Sequence, residues 1–369
     1  MTDTRVAGSI LVIEDRVPHA DAGAGDPRSL LLAAALRRVR PGYDLVWGAV
    51  SAQGADRYAP DLEGLGVEVV AGDVAALLRA RVGEFRAVIV ARPDNHARFR
   101  PLIDRTQPRA VRIYDAESLF HRRSLREARV RNDLGVEERA GTEIGAEAAA
   151  VLWADGVLLV APDGIGFVHA IAPDLPVAVC AHAVDPPAVV PGFDERAGLV
   201  FFGGFLAGPG GPNEDAAVIA SERIAPLVGE PLVVAGAAPT ARVLDLAGPG
   251  TRVLGRVDDP VEFLAGFRVH LCPLRFGAGL KLRLLDAAAA GTPTVMTPCA
   301  AENLGLDPTL TELLVAEEPE AQAGLARALL DDPARWSVAS DGLRTIVARA
   351  FSRGGFDAAL AELLDRLGL

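Results

Sequence analysis

Short runs rich in β-branched residues alternate with longer stretches of helical periodicity along the whole chain, and no other feature restricts the fold as much. "SILVIE", "YDLVWGAV", "VEVVAG", "RAVIVA" and "AVRIYD" read as buried strands, and "DPRSLLLAAALRRV" and "DVAALLRARV" between them as helices. This alternation predicts a parallel sheet with helices on both faces. It runs through "GVLLVAP" and "PVAVCAHAVD" to residue 185, where "PPAVVPGFDERAG" at 186–198 reads as a linker. The pattern then restarts. "GLVFFGG", "PLVVAG", "TRVLG", "RVHLCPL" and "TPTVMT" are further strands, and Asn213 is a candidate N-cap for the helix beginning at "PNEDAAVI".

A chain of 369 residues suits two domains. The expected organisation is α/β: two tandem Rossmann-like, doubly wound domains over 1–185 and 199–350, with a helix at 351–369 returning to the first. Ligands in such sheets bind beyond the carboxyl ends of the strands, so a cleft between the domains is the expected site. The net charge of −12 argues against nucleic-acid binding. Cys180, Cys272 and Cys299 are widely spaced in apolar surroundings and read as free thiols of a reducing compartment. Neither a signal peptide nor a membrane span is evident, so the expected location is cytoplasmic.

The stretch "PLRFGAGLKLRLLDAAAAGTPTV" at 273–295 carries the clearest chemistry. Lys281 is the only lysine in the chain, every other residue among the 37 Lys and Arg being arginine. Gly277 and Gly279 let a backbone approach a ligand, and a helix starting near Leu280 would present free N–H groups and a positive dipole end. Arg275 and Lys281 would add two cations. A cation in a helix's first turn opposes the dipole, which asks for an anionic partner such as a diphosphate. Asp286, further along, could accept hydrogen bonds from a ribose diol. A plain strand–helix turn with solvated charges would also account for the loop.

This segment, with "AENLGL" after it, resembles the donor-binding segment of bacterial glycosyltransferases related to family 4, of the two-domain GT-B fold. "ILVIEDRVPHADAGAGDPRS", "IYDAESLFHRRSLREARV", "HAVD", "FFGGF" and "PNEDA" are similar to further blocks of this subgroup, in the same order. The resemblance implies a metal-independent, retaining glycosyltransferase taking its sugar from a nucleotide diphosphate, without another cofactor. It gives Lys281 and Arg275 to the diphosphate and Asp286 to the ribose. The departures are Asp286 where the family has glutamate, Ala278 at the first position of its glutamate pair, and Gly203-Gly204-Phe205 in place of a "GR…K" contact. A sugar-nucleotide epimerase and a non-catalytic glycan-assembly protein on the same fold are the alternatives.

Further candidates lie in the first half. Gly23 and Gly25 follow the first strand, as a phosphate or acceptor loop or as a plain turn, beside Asp15 and Arg16 at the strand's end. Asp115, Glu117 and His121 follow "AVRIY" at the same sheet edge, where they could orient an acceptor hydroxyl or support charge on the sugar; His121 could equally be structural. The basic run "HRRSLREARVR" would suit an anionic, lipid-linked acceptor at the inner membrane face, or simply a solvated helix face. Asp-x-Asp, G-x-S-x-G and H-E-x-x-H are all absent from the sequence, which argues against a metal-bound diphosphate and the common hydrolases.

Overall fold

A computed structural model describes residues 8–19 and 25–369. The chain forms two compact units: one from the segment up to Ser124, Leu134–Ala183 and Arg353–Leu369, the other from Leu125–Asp133 and Val184–Ser352.

The first unit holds β1 (Gly8–Arg16), β2 (Tyr43–Ser51), β3 (Val67–Ala71), β4 (Phe85–Ala91), β5 (Val111–Glu117), β6 (Gly156–Leu159) and β7 (Val177–Val179) in one sheet of order β3-β2-β1-β4-β5-β6-β7. Every pairing is parallel. Alternate residues of β1 enter opposite cores. Ile10 and Val12 pack with Leu36, Trp47 and Leu360, while Leu11 and Ile13 pack with Val88, Val90 and Tyr114. That two-sided burial is why the strand reads as a continuous apolar run.

The helix Arg353–Arg366 belongs to this unit. Its Phe356, Leu360, Leu363 and Leu364 fill one of the two cores. Arg38 forks onto Asp357 at 2.7 and 2.8 Å, and Arg40 donates to the carbonyl of Leu369 at 3.0 Å.

The second unit holds β8 (Leu199–Phe202), β9 (Leu232–Ala235), β10 (Thr251–Gly255), β11 (Val269–Cys272) and β12 (Thr294–Met296), all parallel, in the order β10-β9-β8-β11-β12. Several of its helices begin with a capping Asp or Thr followed by proline: Asp259-Pro260, Thr297-Pro298, Asp307-Pro308 and Asp332-Pro333. The side chain caps an orphan N–H, and the ring presets the first helical φ. The helix Pro212–Ile219 departs from this rule. Its N-cap is Gly211 and not the expected Asn213, whose amide is drawn to Gly204 and Arg283 instead. Arg196 is 2% exposed and donates to Pro191 O, Thr292 Oγ1 and Ala290 O, so this end of the proline-rich segment is pinned to its unit.

In each sheet the strand order reverses once, between β1 and β4 and between β8 and β11. The loops leaving the carboxyl ends of two such strands diverge and leave a crevice. Among the described residues no helix is long and apolar enough to cross a membrane.

Leu360→Ala should destabilise the first unit by about 2–5 kcal/mol, read as a lower urea midpoint. Glu362→Ala, on the exposed face of the same helix, should stay within about 0.5 kcal/mol. Equal midpoints for the two variants would show that the helix does not hold this core.

Candidate functional site

In the second unit the loops after β8 and β11 flank the strand-order reversal. The loop after β11 is anchored by apolar side chains, with Leu274 and Phe276 each 1% exposed, and by Thr297, whose hydroxyl donates to the Leu274 carbonyl. Arg131 lies over the Phe276 ring, 5.2 Å from its centroid. Gly279 sits at φ +64°, left-handed backbone in which a side chain would be strained. Arg126 donates to the Gly277 carbonyl at 2.7 Å.

Lys281 is the N-cap of the helix Leu282–Ala289, one residue outside the first turn in which it was expected. Its extended backbone lets the side chain turn inward. The residue is 6% exposed, and Nζ donates to the Cys299 carbonyl at 2.7 Å. Glu302 Oε2 stands 4.0 Å from it, while Oε1 accepts from Arg126 at 2.7 Å. Burial lowers the lysine pKa, with Arg126 acting in the same direction and Cys299 and Glu302 opposing. Among the described residues only one of the three ammonium donors is used, which leaves capacity for a ligand.

Arg275 is engaged otherwise. Its guanidinium forks onto Asp215, with Nε to Oδ2 at 2.9 Å. The fork occupies Nε and Nη2, and Nη1 hydrogen-bonds no described residue. Asp286 lies in the second turn of the helix, half-buried, and no described residue hydrogen-bonds its carboxylate. Burial, and then the Asp259 charge, push its pKa up to about 7, against the pull of Arg283.

Arg283 joins this site without having been singled out from the sequence, together with Asn213, expected as an N-cap, and Gly203, noted where a "GR…K" contact was missing. Arg283 Nη2 donates to Asn213 Oδ1, and Asn213 Nδ2 donates to the Gly204 carbonyl. The signal available was a second cation two residues after Lys281, in an otherwise apolar helix start. The alanines behind it explain how the helix sits so close to the sheet. Ala287 and Ala290 pack on Val200 of β8 and on Leu264.

The first unit has its own polar cluster at its strand-order reversal. Arg28, 1% exposed, donates to Asp115 Oδ2 at 2.7 Å and to the Cys180 carbonyl at 2.8 Å. Asp115 Oδ1 accepts the Glu117 N–H at 3.2 Å. Arg92, after β4, donates to Glu117 Oε2 at 3.1 Å and also to Asp15. Burial, then the Glu117 charge beside it, push the Glu14 carboxyl well above its ordinary range, with Arg92 opposing. Glu117 and Arg92 both have positive φ, +50° and +69°, a strain of about 1–3 kcal/mol each of the kind that collects at functional sites. A Cβ on Gly25 would stand 3.3 Å from Glu117 Oε1, so this glycine lets the loop approach the carboxylate. Gly23 lies outside the described residues. His121 shares no hydrogen bond with Asp115 or Glu117; its Nδ1 pairs with the fully buried Glu147, which also accepts the Phe120 N–H at 2.6 Å. Arg16 pairs with Asp26 at 2.7 Å. Arg28, Arg92 and Glu14 are further members of this cluster that local sequence did not reveal.

Residues 196–332 match the family model of the glycosyl transferases group 1. The resemblance first carried by residues 273–295 therefore holds across most of the second unit. Sucrose-phosphate synthase from Thermosynechococcus elongatus has a similar structure, with a TM-score of 0.75 at 14% identity over 98% of this chain and 99% of that one. Anabaena HepE, in complex with UDP and glucose, gives 0.69 at 13% identity over 97% and 100%. A glycosyltransferase from Rickettsia africae gives 0.68 at 11% identity over 98% of both chains. No curated protein matches the chain by sequence. The fold is that of the GT-B glycosyltransferases, two parallel-sheet α/β units, as the alternation of apolar runs predicts.

The Asp286 carboxyl yields a pH prediction. Its folded-state value of about 7 lies above its ordinary value of 3.8. Between those two pH values the folded chain keeps a proton that the unfolded chain has released, so this group's contribution to stability falls as pH rises. Asp286→Asn should therefore match wild type in melting temperature near pH 4 and exceed it above pH 7. A constant difference across that window would rule out a raised carboxyl.

Proposed function

We propose that the chain is a glycosyltransferase that moves a sugar from a nucleotide diphosphate to an acceptor hydroxyl, with the donor held by the second unit. The observation that carries this reading is the buried Lys281, set between a glycine-bearing loop and a helix N-terminus at the strand-order reversal. The reading draws support from the family match over the same residues, and from the fold shared with Anabaena HepE, whose structures contain UDP and UDP-glucose.

In this mechanism most of the rate comes from stabilising the departing nucleoside diphosphate. When the sugar–oxygen bond breaks, negative charge grows on the leaving phosphate. Lys281 and the N–H groups opening the helix Leu282–Ala289 stand ready to meet it. A preorganised cation in a water-poor site stabilises such charge far more than the same cation in water. The chain's own cations take the neutralising role, so the proposed reaction needs no divalent ion. Asp286 takes the ribose hydroxyls, accepting hydrogen bonds in its ionised form. Arg275 serves the diphosphate through Nη1, the arm that Asp215 leaves unused.

The acceptor, a glycan, a lipid-linked saccharide or a small molecule, is assigned to the polar cluster of the first unit. Glu117 supplies hydrogen-bonding oxygens for a polyhydroxyl ligand, and the buried Glu14 carboxyl beside it accepts from Asp15 and Ser29 and so supports the strand end. Asp115 acts there through Arg28, which holds it in place. His121, tied to Glu147, orients the start of its helix. The family resemblance carries the further reading of retained anomeric configuration. Acceptor-dependent turnover of the donor separates this transferase from an epimerase, which needs no acceptor.

The first test is a thermal-shift screen of wild type and Lys281→Ala against UDP, GDP, dTDP and their sugars. At a hundredfold excess over Kd a ligand stabilises by about 2.7 kcal/mol. This should appear as a rise of several degrees in wild type that is mostly lost in the variant. No rise with any nucleotide, or equal rises in both proteins, would overturn the proposal.

A further inference from the structure

We infer that Arg283 is a second diphosphate-binding residue, its guanidinium held ready by Asn213 and admitted to the site only because residue 203 is glycine. The inference rests on the donor-site reading above and adds to it a residue that neither the family match nor the loop sequence assigns.

The geometry has three parts. First, the guanidinium is fixed on one side. Nη2 donates to Asn213 Oδ1, and Asn213 is itself held by donating to the Gly204 carbonyl. Arginine's donors form a rigid planar fork, so fixing one arm sets the direction of the other. Second, that other arm has no partner. Nη1 is buried and hydrogen-bonds no described residue. A buried charged donor left unpaired is costly, and an acceptor arriving from outside the chain would satisfy it. Third, the direction is known. A Cβ on Gly203 would stand 2.6 Å from Nη1 and 3.2 Å from Cζ. The free arm thus lies over the backbone at the carboxyl end of β8.

Gly203 is not required for its dihedral angles, because it is not among the glycines with positive φ. It leaves space. A Cβ there would press on Nη1, so that end of the guanidinium would have to move from its present place. The chemical class of the missing acceptor follows from the charge. Arg283 has no ion pair among the described residues, and Asp286, three residues further along the same helix, does not hydrogen-bond its free arm. An anionic oxygen meets the need, and a phosphate offers several to a forked donor. Lys281 opens the same helix two residues earlier. The pair therefore presents a compact ammonium and a planar fork to one diphosphate.

Isothermal titration calorimetry of UDP, GDP and dTDP, and of the matching nucleosides, tests this on wild type, Arg283→Met, Gly203→Ala and the double variant. Arg283→Met should weaken diphosphate binding about ten- to a hundredfold, as expected for a charged hydrogen bond, and leave nucleoside binding unchanged. Gly203→Ala keeps every charge but displaces the guanidinium, so it too should weaken the diphosphate and spare the nucleoside. In the double variant the alanine no longer meets an arginine, and binding should be no weaker than in Arg283→Met alone, the non-additivity expected of residues in contact. Wild type binding a diphosphate while Arg283→Met binds it equally well would overturn the inference and leave the donor-site reading standing. Wild type binding none of the three would sink both. If Arg283→Met does not fold, Gly203→Ala decides, and an unchanged diphosphate affinity in that variant overturns the inference.

Discussion

A parallel sheet covered on both faces by helices has almost nowhere to place polar chemistry except at the ends of its strands. Both units of this chain obey that constraint. The interiors of β1, β4, β8 and β11 are buried on both sides, so charged groups collect where the strands stop. The reversal in strand order then decides which strand ends matter. In the first unit it gathers Glu14, Asp15 and Arg92; in the second it brings Gly203 within reach of the loop carrying Gly277, Gly279 and Lys281. The same topology that buries the apolar runs thus sets where these residues meet.

Charges held at those ends are taken partly out of water, and the chain deals with this differently in its two units. In the first, Arg28 and Asp115 neutralise each other and have further hydrogen bonds to Cys180 and Glu117. A buried pair satisfied in this way adds little net stability, though breaking it would be expensive. In the second, Lys281 has a carbonyl and a carboxylate 4.0 Å away, and Arg283 keeps one arm unpaired. Each unit keeps one buried guanidinium arm without a hydrogen-bond partner, Arg28 Nη2 in the first and Arg283 Nη1 in the second. The difference lies in the ion pairs: Asp115 neutralises Arg28, whereas no carboxylate among the described residues pairs with Arg283.

Much of this was legible in the sequence. All twelve strands of the two sheets fall within apolar runs that the sequence displays, because strands buried on both faces need continuous apolar residues. Lys281 stands out by its solitude, and the glycines and small residues around it mark a tight strand–helix turn packed close to the sheet. Other features were not legible. Asn213 looks like an N-cap, yet its amide is taken by Gly204 and Arg283, partners far away in sequence. Arg275 looks like a free cation until Asp215, sixty residues earlier, is seen to hold it. Arg283 is one arginine among many, and only the Cβ missing from Gly203 shows where it reaches.

The sequence by itself determined the secondary structure, the two-sheet α/β class and the loop that carries the lone lysine. Each of these depends on local periodicity and on residue types close together in the chain. Only the tertiary structure decided which charges are spent on one another and which are kept free. Asp115 and Arg28, Arg275 and Asp215, and Arg92 with Glu117 are paired through the folding of distant segments. Lys281 and Arg283 are left with donors to spare, since Glu302 stands 4.0 Å from the one and no described carboxylate pairs with the other.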